Sequence, residues 1–378
     1  MTEVLKLNAI SPKVGEILSP DKYSVTDNSA SPEAIILRSF NMHEYEVADS
    51  VIAVARAGAG VNNIPLDVMT DKGICVFNTP GANANAVKEL VIGALVIGSR
   101  KIVKGINWTQ TLGGEDVAKA VEKGKKAFIG QEILGKRLGI VGMGAIGRLV
   151  AEAALALGMS VTGYDPYLSK DAAAKLDSRI SITADICDIY RTCDYITLHV
   201  PSTPQTKNAV NKDTIAIMKD GVVIINCARG DLVNDDDIIE ATASGKVGRY
   251  VTDLPNNKLI GKDNIITIPH LGASTPEAED NCAVMAANQL KDFIENGNIV
   301  NSVNLPCAKL PRTSDKRITV LAKDAALSDI TAAIGNCLKG VTSATRGDLL
   351  YVIADVSSYD CVPSISALKG IKRIRELD

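Results

Sequence analysis

Apolar residues along this chain alternate between two patterns: short runs of four or five closed by glycine or polar residues, and longer stretches with apolar positions at helical spacing. The short runs predict strands at 138–142, 160–164, 180–183, 194–199, 221–226, 249–252 and 264–268, with helical stretches such as Ile146 to Leu157 between them. Strand and helix in alternation imply a doubly wound parallel sheet, whose ligands bind beyond the carboxyl ends of the strands. Residues 1–87 repeat the style on a smaller scale, with strands at 34–37, 51–55 and 74–77, and predict a second α/β domain. Helical stretches from Ala84 to Lys104 and from Thr275 to Glu295 are expected to lead into and out of the larger domain, as a hinge pair. Asn301 to Ser314, with Pro306 and Pro311, reads as a linker. Beyond it the order is strand, helix, strand, strand, helix, strand, a βαββαβ unit.

Glycine gives the larger domain its chemistry. In the run Leu138-Gly139-Ile140-Val141-Gly142-Met143-Gly144-Ala145-Ile146-Gly147, Gly142 allows a tight turn, Gly144 lets the backbone approach a pyrophosphate, and Gly147 lets helix and strand pack without a side chain between them. The phosphates would rest on the N-terminus of the helix that starts near Ala145. The next strand ends at Asp165, about 20 residues on, the spacing of an acid that binds ribose hydroxyls and repels a 2'-phosphate. NAD is therefore expected rather than NADP. Asp165 can equally cap the Tyr164-Asp165-Pro166 turn.

Composition narrows the class. The 378 residues are 46% hydrophobic with a net charge of -3 and interspersed signs, so the chain can bury real cores and offers no basic stripe for nucleic acid. The first residues lack the basic region and apolar run of a secretory signal, and no apolar run reaches membrane-spanning length, so a cytoplasmic location is expected. Eight cysteines are scattered without metal-ligand spacing, which predicts neither a disulfide framework nor a metal.

Six ordered motifs between Arg38 and Leu305 resemble the D-isomer-specific 2-hydroxyacid dehydrogenases: Arg56-Ala57-Gly58-Ala59-Gly60-Val61-Asn62-Asn63-Ile64; Asn78-Thr79-Pro80-Gly81-Ala82-Asn83; the glycine run; His199-Val200-Pro201-Ser202-Thr203-Pro204; Asn226-Cys227-Ala228-Arg229-Gly230-Asp231; and Ile268-Pro269-His270-Leu271-Gly272-Ala273-Ser274-Thr275. The resemblance implies an α/β fold of two doubly wound parallel-sheet domains. A flavodoxin-like substrate domain would span 1–87, completed by 285–306, and a Rossmann NAD-binding domain 88–284. The unit at 315–378 resembles an ACT domain, for regulation or for dimerisation alone. A homodimer or homotetramer is implied, acting on a small phosphorylated hydroxy acid. A reductase of hydroxypyruvate, glyoxylate or another D-2-hydroxy acid would share most of these motifs. So would an NAD-sensing corepressor, whose peptide groove and disordered tails are not evident here.

Removing hydride from a secondary alcohol needs a base for the hydroxyl proton, a cation for the adjacent carboxylate and a nicotinamide held against the carbon. Of three histidines, His270 follows the last parallel strand and precedes a glycine turn, at the edge where ligands bind. Arg229 follows the strand ending at Asn226 and offers a planar fork to a carboxylate. In the family the matching residues fill these two roles. The resemblance assigns Gly142, Gly144, Ala145, Ile146, Gly147, Asp165, His199, Val200, Pro201, Cys227, Ala228, Asp253, Gly272 and Ala273 to the cofactor, with Asp253 on the nicotinamide carboxamide. It assigns Arg38, Ser39, Arg56, Gly58, Ala59 and Gly60 to the substrate. Phe40 stands where a second polar or basic residue is common, and Lys125 and Lys126 are possible contributors from a neighbouring subunit.

One departure matters. Many members have a glutamate that orients the catalytic histidine, five residues after the aspartate matching Asp253; here that place holds Lys258. Either Lys258 is a surface residue, or it enters the site as a proton carrier or phosphate contact. In the C-terminal unit, Lys323-Asp324-Ala325-Ala326-Leu327 lacks the glycine that amino-acid-binding ACT domains often carry, which argues against feedback by serine.

Overall fold

The structure, a computed structural model, describes residues 1–114 and 116–378. They form two compact units, one of Met1–Asn83 with Pro276–Asp378 and the other of Ala84–Thr275.

In the first unit, β1 (Thr2–Leu7), β2 (Tyr23–Thr26), β3 (Ala34–Leu37), β4 (Ala53–Arg56) and β5 (Cys75–Phe77) form a parallel sheet in the order β2-β1-β3-β4-β5. This is the flavodoxin-like order. All four residues of β3 are buried, as expected of a strand covered on both faces. β1 and β2 lie outside the strands expected from sequence. Half of β1 is polar, and its place depends on parallel pairing with both β2 and β3, which no local pattern announces.

In the second unit, β6 (Arg137–Val141), β7 (Ser160–Tyr164), β8 (Ile180–Thr183), β9 (Tyr195–Leu198), β10 (Val222–Asn226), β11 (Val247–Thr252) and β12 (Ile265–Thr267) form a parallel sheet in the order β12-β11-β10-β9-β6-β7-β8. The strand order reverses at β6, between β7 and β9. That reversal opens a crevice beyond the carboxyl ends of β6 and β9, where Gly142 and His199 follow. Helix Ala145–Ala156 buries Val150, Ala151 and Ala154 in the core that holds Leu138 and Ile140.

The C-terminal βαββαβ unit returns to the first unit. β13 (Lys316–Lys323), β14 (Leu338–Arg346), β15 (Leu349–Val356) and β16 (Ile371–Leu377) form an antiparallel sheet in the order β14-β15-β13-β16. Even-numbered residues of β15, such as Leu350, Val352 and Ala354, face a core with Ile330, Ile334 and Ile365 from the helices. Odd-numbered Leu349, Tyr351 and Ile353 belong to a different core, with Phe77 of the first sheet, Phe293 of the helix Pro276–Asn296 and Leu305. Every residue of β15 is therefore buried, unusual for an antiparallel sheet. On the same face Arg375 donates to the carbonyls of Phe293 (2.9 Å) and Ile294 (2.8 Å), and Arg317 pairs with Asp355.

Asn301 to Ser314 is not a free linker. Ser302, Asn304 and Leu305 are buried, and the Asn304 side chain accepts from the Val76 amide (2.8 Å) and donates to the Ile74 carbonyl (2.9 Å). An asparagine amide here satisfies the edge of β5 as another strand would, which proline content does not reveal.

Candidate cofactor and active site

Three backbone facts shape the glycine turn. Gly142 has φ +98°, and a Cβ there would lie 2.5 Å from the His199 carbonyl oxygen. A Cβ at Gly147 would lie 2.0 Å from the Gly142 oxygen, so helix and turn touch with no room for a side chain. Gly144 meets nothing within 4 Å and caps the helix with bare backbone. The first N–H groups of a helix have no intrahelical acceptor, so those of Ala145, Ile146 and Gly147 open onto that space.

Asp165 closes the other side. One carboxylate oxygen accepts from the Met143 amide of the glycine turn, the other from the Tyr167 amide, both at 2.9 Å. It caps the turn and holds its carboxylate beside the glycines.

The carboxyl ends of β9, β10 and β11 carry the remaining groups. His199 Nε2 bonds Thr197 Oγ1 at 3.0 Å, while its Nδ1 is buried without a partner among the described residues. Burial pushes the His199 pKa down to about 4, so the imidazole is neutral. Val200 and Pro201 continue from it. Asn226 is fully buried and organises the next turn: it accepts from the Ala228 amide (3.1 Å) and donates to the Arg229 carbonyl (2.8 Å), while Thr252 Oγ1 holds its own carbonyl (2.7 Å). Arg229 thus leaves a fixed turn with its guanidinium exposed, and Nη1 donates to the Ala228 carbonyl at 2.6 Å. Asp231 takes the Ser202 hydroxyl and Asp235 the Asn256 amide, and neither pairs with Arg229 among the described residues.

Asp253 is the buried acid at this edge of the sheet. It is 2% exposed; Oδ2 accepts from the Gly272 amide at 3.0 Å and Oδ1 has no partner among the described residues. Burial and the Asp253 charge together push the Cys227 thiol up to about 12. His270 has φ +48°, with its amide donating to the Asp253 (2.9 Å) and Ile268 (3.0 Å) carbonyls. This left-handed turn frees the imidazole to face solvent, where His270, Asp253, Gly230, Asn256 and Lys258 line a cleft of about 690 Å³. Ala273 follows on the same turn.

Lys258 lines that cleft, yet its ammonium is taken by both oxygens of Asp236 (2.9 and 2.8 Å). The bond and charge of Asp236 raise the Lys258 pKa, the wrong direction for a proton acceptor.

The substrate residues assigned from sequence gather in the first unit. Arg38 follows β3 and Arg56 closes the adjacent β4, and Arg56 Nε donates to the Arg38 carbonyl at 3.0 Å. Gly58 leaves room for the Arg56 guanidinium, since a Cβ there would lie 2.6 Å from Nη1 in its present position. Asn8, at φ +65°, accepts from the Arg38 amide (3.2 Å) and donates to Ser39 Oγ (3.0 Å). The Ala59 carbonyl accepts from Asn78 (2.7 Å), fixing the loop toward Gly60. Arg38 also pairs with Glu279. Phe40 packs edge-on against Tyr45, a core role that explains an apolar residue at that place. Lys125 pairs with Glu122.

Sequence reasoning missed Asn8, Asn226 and Glu279. Asn226 had a signal, a polar residue closing an otherwise apolar strand; the other two act across long sequence separations and had none.

These residues fit a dinucleotide: a side-chain-free cradle at a helix N-terminus, a carboxylate beside it, and two buried polar atoms, His199 Nδ1 and Asp253 Oδ1, left to be satisfied. No group of residues suited to a metal occurs among the described residues, and no helix of theirs is long and apolar enough to cross a membrane.

Residues 93–272 match the D-isomer specific 2-hydroxyacid dehydrogenase, NAD binding domain. A hydroxypyruvate reductase of Thermotoga maritima is 39% identical over 244 residues, covering 62% of this chain and 74% of the relative. A D-3-phosphoglycerate dehydrogenase of Methanocaldococcus jannaschii is 37% identical over 274 residues, covering 70% of this chain and 50% of the relative. The chain spans about half the length of the curated phosphoglycerate dehydrogenases it matches. Among solved structures, NAD+-bound 3-phosphoglycerate dehydrogenase of Entamoeba histolytica superposes with a TM-score of 0.63 at 25% identity, over 80% of this chain and 98% of that one.

Proposed function

Because the chain belongs to the D-isomer-specific 2-hydroxyacid dehydrogenases and carries their NAD-binding domain, we propose that it oxidises 3-phospho-D-glycerate to 3-phosphohydroxypyruvate, the entry step of serine synthesis, in the cytoplasm and as a homodimer or homotetramer. The observation that carries the substrate choice is the Arg38–Arg56 pair, two arginines at the ends of adjacent strands with Arg56 Nε held on the Arg38 carbonyl. A phosphate dianion is the ligand such a pair suits best.

Bound NAD supplies the hydride acceptor. The amides at Ala145 to Gly147 would hold its pyrophosphate, Asp165 its ribose hydroxyls and Asp253 its carboxamide. His199, neutral and buried, completes the wall without carrying a proton. Arg229 holds the substrate carboxylate with a bidentate fork. His270, on its left-handed turn, accepts the hydroxyl proton at an imidazole nitrogen and returns it in the reverse direction. Arg38 and Arg56 hold the phosphate. Lys258, bound to Asp236, stays outside this scheme. The C-terminal unit is assigned a role in assembly or regulation.

Reduction of hydroxypyruvate is the second reading, favoured by the ion pair that Glu279 makes with Arg38, which removes positive charge from the phosphate end. Turnover with 3-phosphoglycerate, glycerate and lactate, each with NAD and with NADP, separates them. Phosphoglycerate with NAD is expected to give the highest kcat/KM; a preference for an unphosphorylated acid overturns the substrate reading.

A further inference from the structure

Glu279 stands in the first turn of the helix Pro276–Asn296, where a carboxylate is stabilised by the helix dipole, and its oxygen pairs with Nη1 of Arg38. Both ends of this contact are anchored. The next residue, Asp280, accepts from Ser11 Oγ at 2.6 Å and pairs with Lys13 at 2.8 Å, fixing the helix turn to the loop after β1. Arg38 is fixed through its backbone, by Asn8 at its amide and by Arg56 and Asn63 at its carbonyl. Both side chains are partly exposed, 29% for Arg38 and 48% for Glu279, so an arriving ligand can reach them. Cys282, one turn along the helix, is buried nearby and its thiol stays protonated, adding no charge.

We propose that Glu279 is a specificity-determining residue of this anion site, whose carboxylate sets how strongly a dianion is preferred over a neutral group. The inference rests on the phosphate reading of Arg38 and Arg56. Two arginines alone present a charge of about +2, the match for a phosphate dianion; the fixed carboxylate brings it to about +1. A phosphate at Arg38 must therefore share the guanidinium with a like charge. The hydroxymethyl end of glycerate carries no charge and meets no such opposition. Glu279 thus weakens binding of the phosphorylated acid selectively, which speeds its release and keeps unphosphorylated acids within reach of the same site.

Glu279→Gln removes the charge while keeping the shape and an oxygen for Arg38 to donate to. Like charges a few ångströms apart in partly solvated surroundings are worth about five- to tenfold in affinity. The variant is expected to lower KM for 3-phosphoglycerate by that factor, with kcat and the KM for glycerate unchanged within about twofold. By calorimetry, inorganic phosphate is expected to bind the variant about five- to tenfold tighter than the native protein. That gain should vanish in the Glu279→Gln, Arg38→Ala double variant. Glu277→Gln, which removes an acid from the same helix turn, serves as the control and is expected to leave phosphate affinity unchanged. Unchanged or weaker phosphate binding by Glu279→Gln overturns the proposal, as does an equal shift in Glu277→Gln. A native enzyme that prefers glycerate or lactate overturns the substrate reading instead, and the calorimetric comparison, which needs no turnover, then still decides the role of Glu279.

Discussion

Replacing Arg317 by methionine is the sharpest test of how the C-terminal sheet is joined to the first unit. Neither Arg317 nor Asp355 has any exposed side-chain surface. The substitution removes the 2.6 Å bond to Asp355 Oδ1 and the bonds to the Asn296 (2.9 Å) and Leu310 (3.0 Å) carbonyls. It leaves a buried carboxylate held, among the described residues, by the amide and hydroxyl of Thr313 alone. Breaking a pair this dry from one side costs about 3–5 kcal/mol, a large part of a total stability of about 5–15 kcal/mol. Urea unfolding followed by circular dichroism measures the loss. Its pH dependence carries a second signature. Burial alone would raise the Asp355 pKa, but bonds from Arg317 and Thr313 outweigh it and hold the carboxyl below its usual range. The native pair therefore contributes fully above the unfolded carboxylate value of about 3.9 and is lost as pH falls below that, through the folded value. In the variant burial dominates, the folded pKa is raised, and the penalty shrinks as acid neutralises the orphaned charge. The deficit should be largest near pH 7 and narrow toward pH 4, and Arg317→Met with Asp355→Leu should recover most of it. A deficit under about 1 kcal/mol at pH 7, or one that does not narrow in acid, would refute this account of the junction.

Gly147→Ala forces a methyl to within 2.0 Å of the Gly142 oxygen, and is expected to lower NAD affinity at least about 100-fold in a titration while the sheet survives in circular dichroism. Asp165→Ala should narrow the kcat/KM preference for NAD over NADP; equal efficiency with both cofactors in the native enzyme removes Asp165 from that role. His270→Ala should cost about 100-fold or more in kcat, whereas Lys258→Ala should stay within about threefold; the opposite ranking would make Lys258 the proton carrier. The buried His199, neutral down to about pH 4, takes up a proton only on unfolding between about pH 6.5 and 4. Stability is therefore lost across that window as pH falls, and a His199→Gln variant should show a shallower slope in urea titrations from pH 7 to 4.5.

The sheet of the second unit was legible because a strand buried on both faces is apolar at every position, as β10 is up to Asn226. The cofactor cradle was legible for a related reason: Gly147 is required by its contact with the Gly142 oxygen and Gly142 by its positive φ, both within one strand-to-helix connection. Arg229 could be placed at the ligand edge because it comes three residues after such a strand, and His270 because it comes three residues after the short edge strand β12. What stayed hidden depends on distance along the chain. Asn304 completes β5 across more than two hundred residues, Glu279 reaches Arg38 across a comparable gap, and β1 is defined by its neighbours on both sides. No periodicity in a short window encodes such partners.

The double burial of β15 bears on how this chain can change over time. Tyr351 fills the core of the first sheet and donates its hydroxyl to the Gly297 carbonyl at 2.7 Å, while its neighbours Leu350 and Val352 fill the core beneath the C-terminal helices. A domain with its own finished surface can be duplicated, lost or exchanged among relatives as a cassette. This one lends a face to its host, so cutting the chain near Pro311 uncovers Phe77, Phe293 and Leu305, and grafting in a foreign module requires a partner that fits them. Drift in β15 and drift in the first sheet are thereby tied together, and a swap that ignores the tie should yield aggregated protein rather than an unregulated enzyme.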